Sequence, residues 1–394
     1  MKKSIIYWFC RFSLIIIVLF TNGCWSYHEL NQLAVVAGTA IDRGKKPGTV
    51  QLTLQIFKPN ASQSGGGSGG TSGGGGSQQQ PFIVKSRTGK TVFDAAQNFL
   101  AETDRKLYWP HNQVIILGNE QASHGVRLVL DYFIRNNEPR PTMWILVAED
   151  GAGAILNAPG ELEKVSAMEI SQLIQVQSFS SKNVMINLQD FATRLLSKTV
   201  APIATLIRIN EVGGKKRLSL SGTAVFKGDR LVGTLDSRQT RGLLWVQGKI
   251  NHGAIIINVP GGKAGLEITR SRTKVKAVRL KDKFKIKVSI HEEGNLDCQM
   301  SPEELTKPDK LKSLARREAD LIKNEINAAL AKAKKFNADI FGFSEVIHKS
   351  NPKEWRTMKE KWDQIFPRLQ VDLDVNCVIH SVGLTTPPLV PPPE

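Results

Sequence analysis

The chain has 394 residues, of which 41% are hydrophobic, and 53 Lys and Arg against 36 Asp and Glu give it a net charge of +17. This length excludes a single hydrophobic core and indicates two or three domains. Four cysteines, two of them within the first 24 residues, exclude a framework of disulfide bonds.

The first 23 residues have the pattern of a lipoprotein signal peptide. Three basic residues flank the start of an apolar run at 12–20, which is shorter than the roughly 20 residues that a membrane span requires. The run is followed by Gly23-Cys24, the end of a lipobox, in which the cysteine is lipidated and becomes the new N-terminus. We predict cleavage of residues 1–23 and lipidation of Cys24; the alternative is an ordinary secreted protein in which Cys24 is incidental.

The mature chain stays basic, because the signal segment removes only three basic residues and no acidic ones. Outside the membrane, the nearest anions are lipid headgroups and cell-wall polymers, and we predict no nucleic-acid partner. Two cysteines remain, Cys298 and Cys377. Cys377 falls on the apolar side of a strand pattern, which favours a buried free thiol over a disulfide.

A mixed α/β domain is predicted for residues 24–200. Two strand patterns lie between 33 and 56, and residues 61–80 are a glycine-rich, disordered loop. Gly89-Lys90-Thr91 lacks the spacing of a phosphate-binding loop and indicates a helix start with Thr91 as N-cap. Strand and helix patterns then alternate, with strands at 114–117 and 143–148 and helices at 126–133, 162–176 and 188–196.

Two further domains are predicted to follow. Residues 201–262 read as a small β-rich unit with a turn at Gly228-Asp229, too small to bury much on its own. Residues 263–386 read as an α+β domain, with alternating strands, a long amphipathic helix at 308–336, an aromatic-faced helix at 355–366 and a last strand after Pro367. Residues 387–394 are a proline-rich, extended tail. The fold class is therefore α+β, with three mixed α/β domains and mainly antiparallel sheets.

The sequence offers no motif for catalysis, a metal or a cofactor. The seven histidines are scattered singly, and no nucleophile elbow is present. Asp372 and Asp374 share one face of the last strand, so a cell-wall hydrolase that uses paired carboxylates stays an alternative. The simpler interpretation of these two residues is the solvated face of a half-buried sheet.

Residues 263–287 carry ten Lys or Arg against two acids, alternating in part with apolar residues. This pattern predicts a basic outer sheet face. The face either keeps the protein soluble and discourages pairing at the sheet edge, or it is turned towards anionic lipid or an acidic partner.

The order of several segments resembles the C-subunit lipoproteins of spore germinant receptors over nearly the whole mature chain. The segments that carry the resemblance are Cys24-Trp25, Glu29-Leu30, Leu33-Ala34-Val35-Val36, Gly38, Ile41-Asp42, His111, Val114 to Gly118, Asp131 to Arg135, Glu138, Arg140, Gly222 to Leu235, Thr240-Arg241-Gly242, Ala338 to Phe343, Trp355, Trp362 and Phe366-Pro367. The chain departs from this pattern in its lipobox, which has Thr21 where Leu is usual, and in the insertion at 61–80.

The resemblance implies a non-enzymatic, three-domain lipoprotein held on the outer face of the inner spore membrane. It implies partnership with an integral-membrane A subunit and a transporter-like B subunit in the detection of nutrients, without a catalytic, cofactor or metal site. The rival binding module is a solute-binding lipoprotein of a membrane importer, which predicts two similar lobes around a cleft.

Overall fold

The computed structural model describes residues 7–8, 32–58, 80–281 and 283–381. The tail at 387–394, Cys24 and almost all of the predicted signal peptide and glycine-rich loop lie outside these residues. Within the described residues, the strands form two sheets, one of nine strands and one of four.

The first sheet is mixed. Its strands are β1 (Leu33–Arg43), β2 (Val50–Phe57), β3 (Phe82–Gly89), β4 (Lys106–Tyr108), β5 (Val114–Gly118), β6 (Trp144–Ala148), β7 (Ile203–Val212), β8 (Lys215–Lys227) and β9 (Arg230–Leu235). They lie in the order β3-β2-β1-β5-β6-β7-β8-β9, with β4 beside the start of β1. The flanks are antiparallel, whereas β1, β5, β6 and β7 run parallel at the centre. All five residues of β5 are buried, because helices cover both faces of the sheet there.

Helices pack on both faces of the first sheet. They are α1 (Val92–Leu100), α2 (Asn119–His124), α3 (Arg127–Arg135), α4 (Ala152–Asn157), α5 (Ser166–Gln175), α6 (Gln177–Ser180), α7 (Leu188–Leu196) and α8 (Ser237–Val246). Helices α1, α3, α7 and α8 bury their apolar faces on one side, and α4 and α5 do so on the other. The predicted cap of α1 is confirmed: the hydroxyl of Thr91 accepts the N–H of Asp94.

Within the described residues, the second sheet is covered by a long helix on one face and is open on the other. Its strands are β10 (Gly253–Val259), β11 (Gly262–Leu280), β12 (Lys283–Met300) and β13 (Gln370–Ser381), and the helices are α9 (Pro308–Phe336), α10 (Phe343–Ser350), α11 (Pro352–Met358) and α12 (Trp362–Ile365). Strands β10 to β12 are antiparallel, and β13 lies parallel to β12. The apolar stripe of α9 packs on alternate β12 residues and continues the core of the first sheet.

Contacts of a helix pair and of a loop fasten the two halves together. Helix α8 crosses α9 at Gly242, where a Cβ atom would lie 2.1 Å from the carbonyl oxygen of Glu325. The loop before α10 is held by Asp339, whose carboxylate accepts the N–H groups of Gly342, which caps that helix, and of its first two residues, Phe343 and Ser344, at 2.8–3.0 Å. From α7, Arg194 donates to the carbonyl oxygens of Ala201 and Ile340, at 3.0 and 3.2 Å.

The predicted α+β class is confirmed, and the long helix occurs at the predicted residues, 308–336. Residues 201–262 do not form a separate sheet: β7, β8 and β9 extend the first sheet, because β7 pairs in parallel with β6, and β10 belongs to the second. The three-domain division with its boundaries stays a prediction. The aromatic-faced helix predicted at 355–366 is divided between α11, α12 and short 3-10 turns. Helix α8 was not predicted, although Asp236 and Gln239 form a capping box at its start.

Candidate functional site

A groove of about 920 Å³ opens on the first half of the molecule, between the β1–β2 turn, the start of α1 and one side of α3. We call it the α1–α3 groove. Two of its side chains are apolar and yet exposed: Phe93 is 57% exposed and Leu128 is 86% exposed. Exposed apolar groups beside a concavity are typical of surfaces that bind another molecule.

An aromatic cluster supports the groove from beneath α3. The ring of Tyr132 lies 5.7 Å from that of Trp109 and 5.1 Å from that of Phe133, both edge to face, and 6.2 Å from that of Phe93. Burial raises the pKa of the Tyr132 phenol, so its hydroxyl stays a neutral hydrogen-bonding group. These packed rings hold α3 and the start of α1 in fixed positions.

Most of the charged side chains of the groove are held by neighbours. The single Nε–H of Arg135 is shared between the two carboxylate oxygens of Asp131, at 2.9 and 2.8 Å. Arg43 contacts the ring of His124 and lies 3.4 Å from the carboxylate of Glu120. These pairs leave the exposed Phe93 and Leu128 as the surface still to be covered, so the groove is suited to binding rather than to chemistry.

The two aspartates considered for hydrolysis lie on the open face of the second sheet, and each is paired with a lysine of β12. Asp372 Oδ2 is 2.7 Å from Lys285 Nζ, and Asp374 Oδ2 is 3.4 Å from Lys287 Nζ. Lys285 and Gln370 lower the pKa of Asp372 by hydrogen bonding, so this carboxyl is held ionised. A glycosidase acid must instead stay protonated near neutral pH. This geometry favours the interpretation of Asp372 and Asp374 as part of a solvated sheet face over their use as a catalytic pair.

The basic stretch at 263–287 divides into two parts. In the first part, on β12 and at the end of β11, basic side chains form ion pairs. Lys285 and Lys287 pair with the aspartates of β13, and Arg279 Nη1 lies 2.8 Å from Glu354 Oε1. Along β11, five exposed basic side chains lack an ion pair within the described part of the chain, namely Lys263, Arg270, Arg272, Lys274 and Lys276. The surface with unpaired basic side chains is therefore narrower than the stretch 263–287, because the aspartates of β13 neutralise two of its lysines.

The predicted lipidation site, Cys24, lies outside the described residues. The other two cysteines are described: Cys298 is exposed and Cys377 is buried, and both are free thiols, which confirms the prediction for Cys377. Among the described residues, no helix is both long enough and apolar enough to cross a membrane.

A cluster of buried acids was not predicted. Glu292 on β12 and Glu318 on α9 are both fully buried, and their carboxylates meet beside the thiol of Cys377. Burial raises the pKa of both carboxyl groups and of the thiol. The sequence carried a signal for it: Glu292 continues the buried alternation of Phe284 to Ile290 on β12, and Glu318 stands between Leu314 and Ile322 on the apolar stripe of α9.

Both halves of this molecule match models of spore germination proteins. Residues 26–209 match a domain described as "Spore germination protein N-terminal domain", and residues 221–383 match "Spore germination B3/ GerAC like, C-terminal". The chain therefore belongs to the germinant-receptor C-subunit family, as the order of its motifs predicted.

Individual relatives extend the match over nearly the whole chain. Spore germination protein KC of Bacillus subtilis (strain 168) is 27% identical, over 94% of this chain and 95% of its own length. Spore germination protein B3 of the same organism is 26% identical, over 92% and 94%. The crystal structure of the GerBC protein has the same fold, with a TM-score of 0.54 and 22% identity over 87% of this chain and 96% of that one.

Proposed function

We propose that this chain is the lipid-anchored, non-enzymatic subunit of a spore nutrient receptor, acting with integral-membrane A and B subunits on the outer face of the inner spore membrane. The observation that supports this most strongly is the extent of the family match, because both halves and more than nine tenths of the chain align with spore germination proteins. A match confined to one half would support only a shared domain.

The lipid on Cys24 would hold the protein at the membrane that contains its partners. Each buried methylene contributes about 0.8 kcal/mol, so two or three acyl chains give long residence at the surface. Confinement to a surface also raises the effective concentration of one subunit for another without any new contact. The anchor therefore converts modest contacts between subunits into a stable complex.

The α1–α3 groove is the surface that we assign to a partner subunit. Its charged groups are largely paired with one another, while Phe93 and Leu128 remain exposed at its side. A protein partner that covers these two side chains would gain apolar burial of about 25 cal/mol per Å². The non-enzymatic assignment agrees with the ion-paired state of Asp372 and Asp374.

The anchor is tested with Cys24→Ala, compared with Cys298→Ala, which removes an exposed thiol far along the chain. We expect Cys24→Ala to leave the spore membrane fraction and to weaken nutrient-triggered germination, and Cys298→Ala to behave as wild type. Fractionation, mass spectrometry of the N-terminal peptide and germination assays give the readouts. A Cys24→Ala protein that stays membrane-bound and fully functional would refute the proposed anchor.

The groove is tested separately by the double variant Phe93→Ser and Leu128→Ser, with Leu162→Ser as the matched control, because Leu162 is also an exposed leucine but lies outside the groove. We expect the double variant to fold normally, to remain in the membrane and to lose co-purification with the A and B subunits. Equal co-purification of the double variant and the control would show that the partner binds elsewhere.

A further inference from the structure

Three side chains form a row across the inner face of the second sheet. Glu292 on β12 is the register partner of Ser271 on β11 and, on its other side, of Cys377 on β13. Glu318 reaches the same place from α9, which packs over this face. The ligand atoms of Glu292, Glu318 and Cys377 all lie within 4.8 Å of one another. Two carboxylates and a thiol, from two strands and one helix, thus meet at one buried point.

These groups lack the partners that buried polar groups normally have. Glu292 and Glu318 are each 0% exposed, and within the described residues no group outside the cluster donates a hydrogen bond to any of their four carboxylate oxygens. The buried hydroxyl of Ser271 has no partner either. Unpaired buried charge is among the most costly features of a protein interior, so a compensating cation is expected.

Two cationic side chains whose charge acts on the cluster, Arg241 and Lys323, each form an ion pair with another acid. Arg241 Nε lies 3.4 Å from the carboxylate of Glu325, and Lys323 Nζ lies 3.6 Å from that of Asp320. Space for the carboxylate is preserved by Gly294, because a Cβ there would lie 2.9 Å from Glu292 Oε1. Within the described residues, no cationic side chain forms an ion pair with Glu292 or Glu318, and the charge of Arg241 offsets that of Glu318 only in part. The backbone at Gly294 leaves the carboxylate of Glu292 room.

We propose that Glu292, Glu318 and Cys377 bind one divalent metal ion of the zinc class. Zinc accepts mixed sulfur and oxygen ligands, at about 2.3 Å for thiolate and about 2.0–2.2 Å for carboxylate, and its structural sites are four-coordinate. The double charge of the ion balances the two carboxylates, and the thiol binds as thiolate and releases its proton. The loaded site then carries one negative charge, on which the nearby charge of Arg241 acts favourably. The fourth position is left for a water molecule or the neighbouring Ser271 hydroxyl.

The role of such an ion would be structural. It would tie α9 to β12 and β13 in the interior, where no substrate has access, and so fix the helix on its sheet. This role is independent of the proposed receptor function, because it concerns how the second half of the chain holds together. Its failure would leave the anchor and groove proposals unaffected.

The test measures metal in the full chain, purified in detergent without chelator. We expect about one zinc per chain by inductively coupled plasma mass spectrometry, and a lower melting temperature after chelation that added ZnCl₂ restores. Glu318→Gln and Cys377→Ser should each lose at least tenfold of the bound metal. Glu325→Gln is the matched control, since Glu325 is a buried glutamate of the same helix outside the cluster, and it should keep the metal.

Cobalt provides a readout that is independent of stability. The wild-type protein loaded with CoCl₂ should show the near-ultraviolet charge-transfer band of a thiolate–cobalt bond, and Cys377→Ser should lack it. The proposal is overturned if the wild-type chain contains no metal and neither ZnCl₂ nor CoCl₂ changes its melting temperature, in which case the two carboxyl groups share a proton. It is equally overturned if Glu318→Gln and Cys377→Ser bind metal as wild type does.

Discussion

The Thr240-Arg241-Gly242 motif has a separate structural task for each residue. Thr240 shares a hydrogen bond of 2.9 Å with Thr223 on β8, and Arg241 faces Glu325 of α9. Gly242 lets the two helices touch, since any Cβ would run into the α9 backbone. The motif therefore fixes α8 on α9, and its place in the family pattern reflects the joint between the two halves.

The close approach at Gly242 leads to a stability prediction. Gly242→Ala should lower the free energy of unfolding by about 1–3 kcal/mol, because overpacking at a backbone contact forces the helices apart. Urea denaturation followed by circular dichroism measures the change. Gly151→Ala is the control, since a Cβ there meets no atom within 4 Å. Equal stabilities of the two variants would contradict the assigned contact.

The carboxyl group of Asp339 predicts a pH dependence. Burial raises its pKa to about 6 despite its three backbone N–H donors, and its charged neighbour Arg194 stays cationic throughout. A raised carboxyl pKa means that the stability this group contributes is complete below about pH 4 and is lost as the pH rises through 6.

The wild-type free energy of unfolding, compared with that of Asp339→Asn, should therefore fall by roughly 3 kcal/mol between pH 4 and pH 7. Urea titrations of both proteins at several pH values measure this difference, which cancels the other titrating groups. A difference that stays constant with pH would show that the backbone donors balance burial at this site, and a difference that rises with pH would show that they outweigh it.

Among the elements, α9 illustrates how one helix serves both halves. Its buried stripe includes Ile322 and Ile326, which belong to the core shared by the two sheets. Its amphipathic pattern was clear in the sequence, and its bounds were predicted correctly. The pattern did not explain why the stripe also holds Glu318 and Glu325. The structure places Glu318 beside Glu292. It places Glu325 beside Trp245 and Arg241.

The buried stripe of α9 leads to a prediction of how far truncating one of its residues lowers the free energy of unfolding. Ile326→Ala should lower the free energy of unfolding by about 2–5 kcal/mol, since it removes a fully buried side chain at the junction of both sheets. Asn327→Ala, one residue further along and exposed, should change it by less than about 0.5 kcal/mol. Thermal and urea denaturation of the two variants measure the contrast; a similar loss in both would place the shared core elsewhere.

At the scale of the whole molecule, a continuous core predicts that the two halves unfold together. Arg194 contributes to this coupling, because it spans from α7 to the carbonyl oxygens of Ala201 and Ile340. Arg194→Met should cost about 1–3 kcal/mol, because the carbonyl oxygen of Ala201 loses its side-chain donor, while that of Ile340 keeps only the amide of Gln247. It should also separate the unfolding of the first half from that of the second.

Limited proteolysis and two-probe denaturation curves measure this separation. Arg127→Met is the control, since Arg127 also donates to a carbonyl oxygen, that of Leu195, but within the first half. If Arg194→Met kept a single transition at wild-type stability, the Asp339 loop would not be the joint between the halves.

The solute-binding alternative predicted two similar lobes, and the sheets instead have nine and four strands within the described residues.

The spacing of apolar residues and the residues typical of caps and turns predicted the elements with a strong local pattern, such as α9, the cap at Thr91 and the turn at Gly228. They failed at α8, because the capping signal of Asp236 and Gln239 precedes a helix too short and mixed to show a clear period.

The sequence by itself determined the class of the fold, the long helix, the buried state of Cys377 and the family, because each follows from local period or from the order of short motifs. Only the tertiary structure decided that β7 to β9 complete the first sheet, that β13 neutralises part of the basic face, and that Glu292, Glu318 and Cys377 meet. The cluster joins residues from 26 (Glu292 to Glu318) to 85 (Glu292 to Cys377) positions apart, and contacts at such separation depend on strand order and helix placement, which no local pattern encodes.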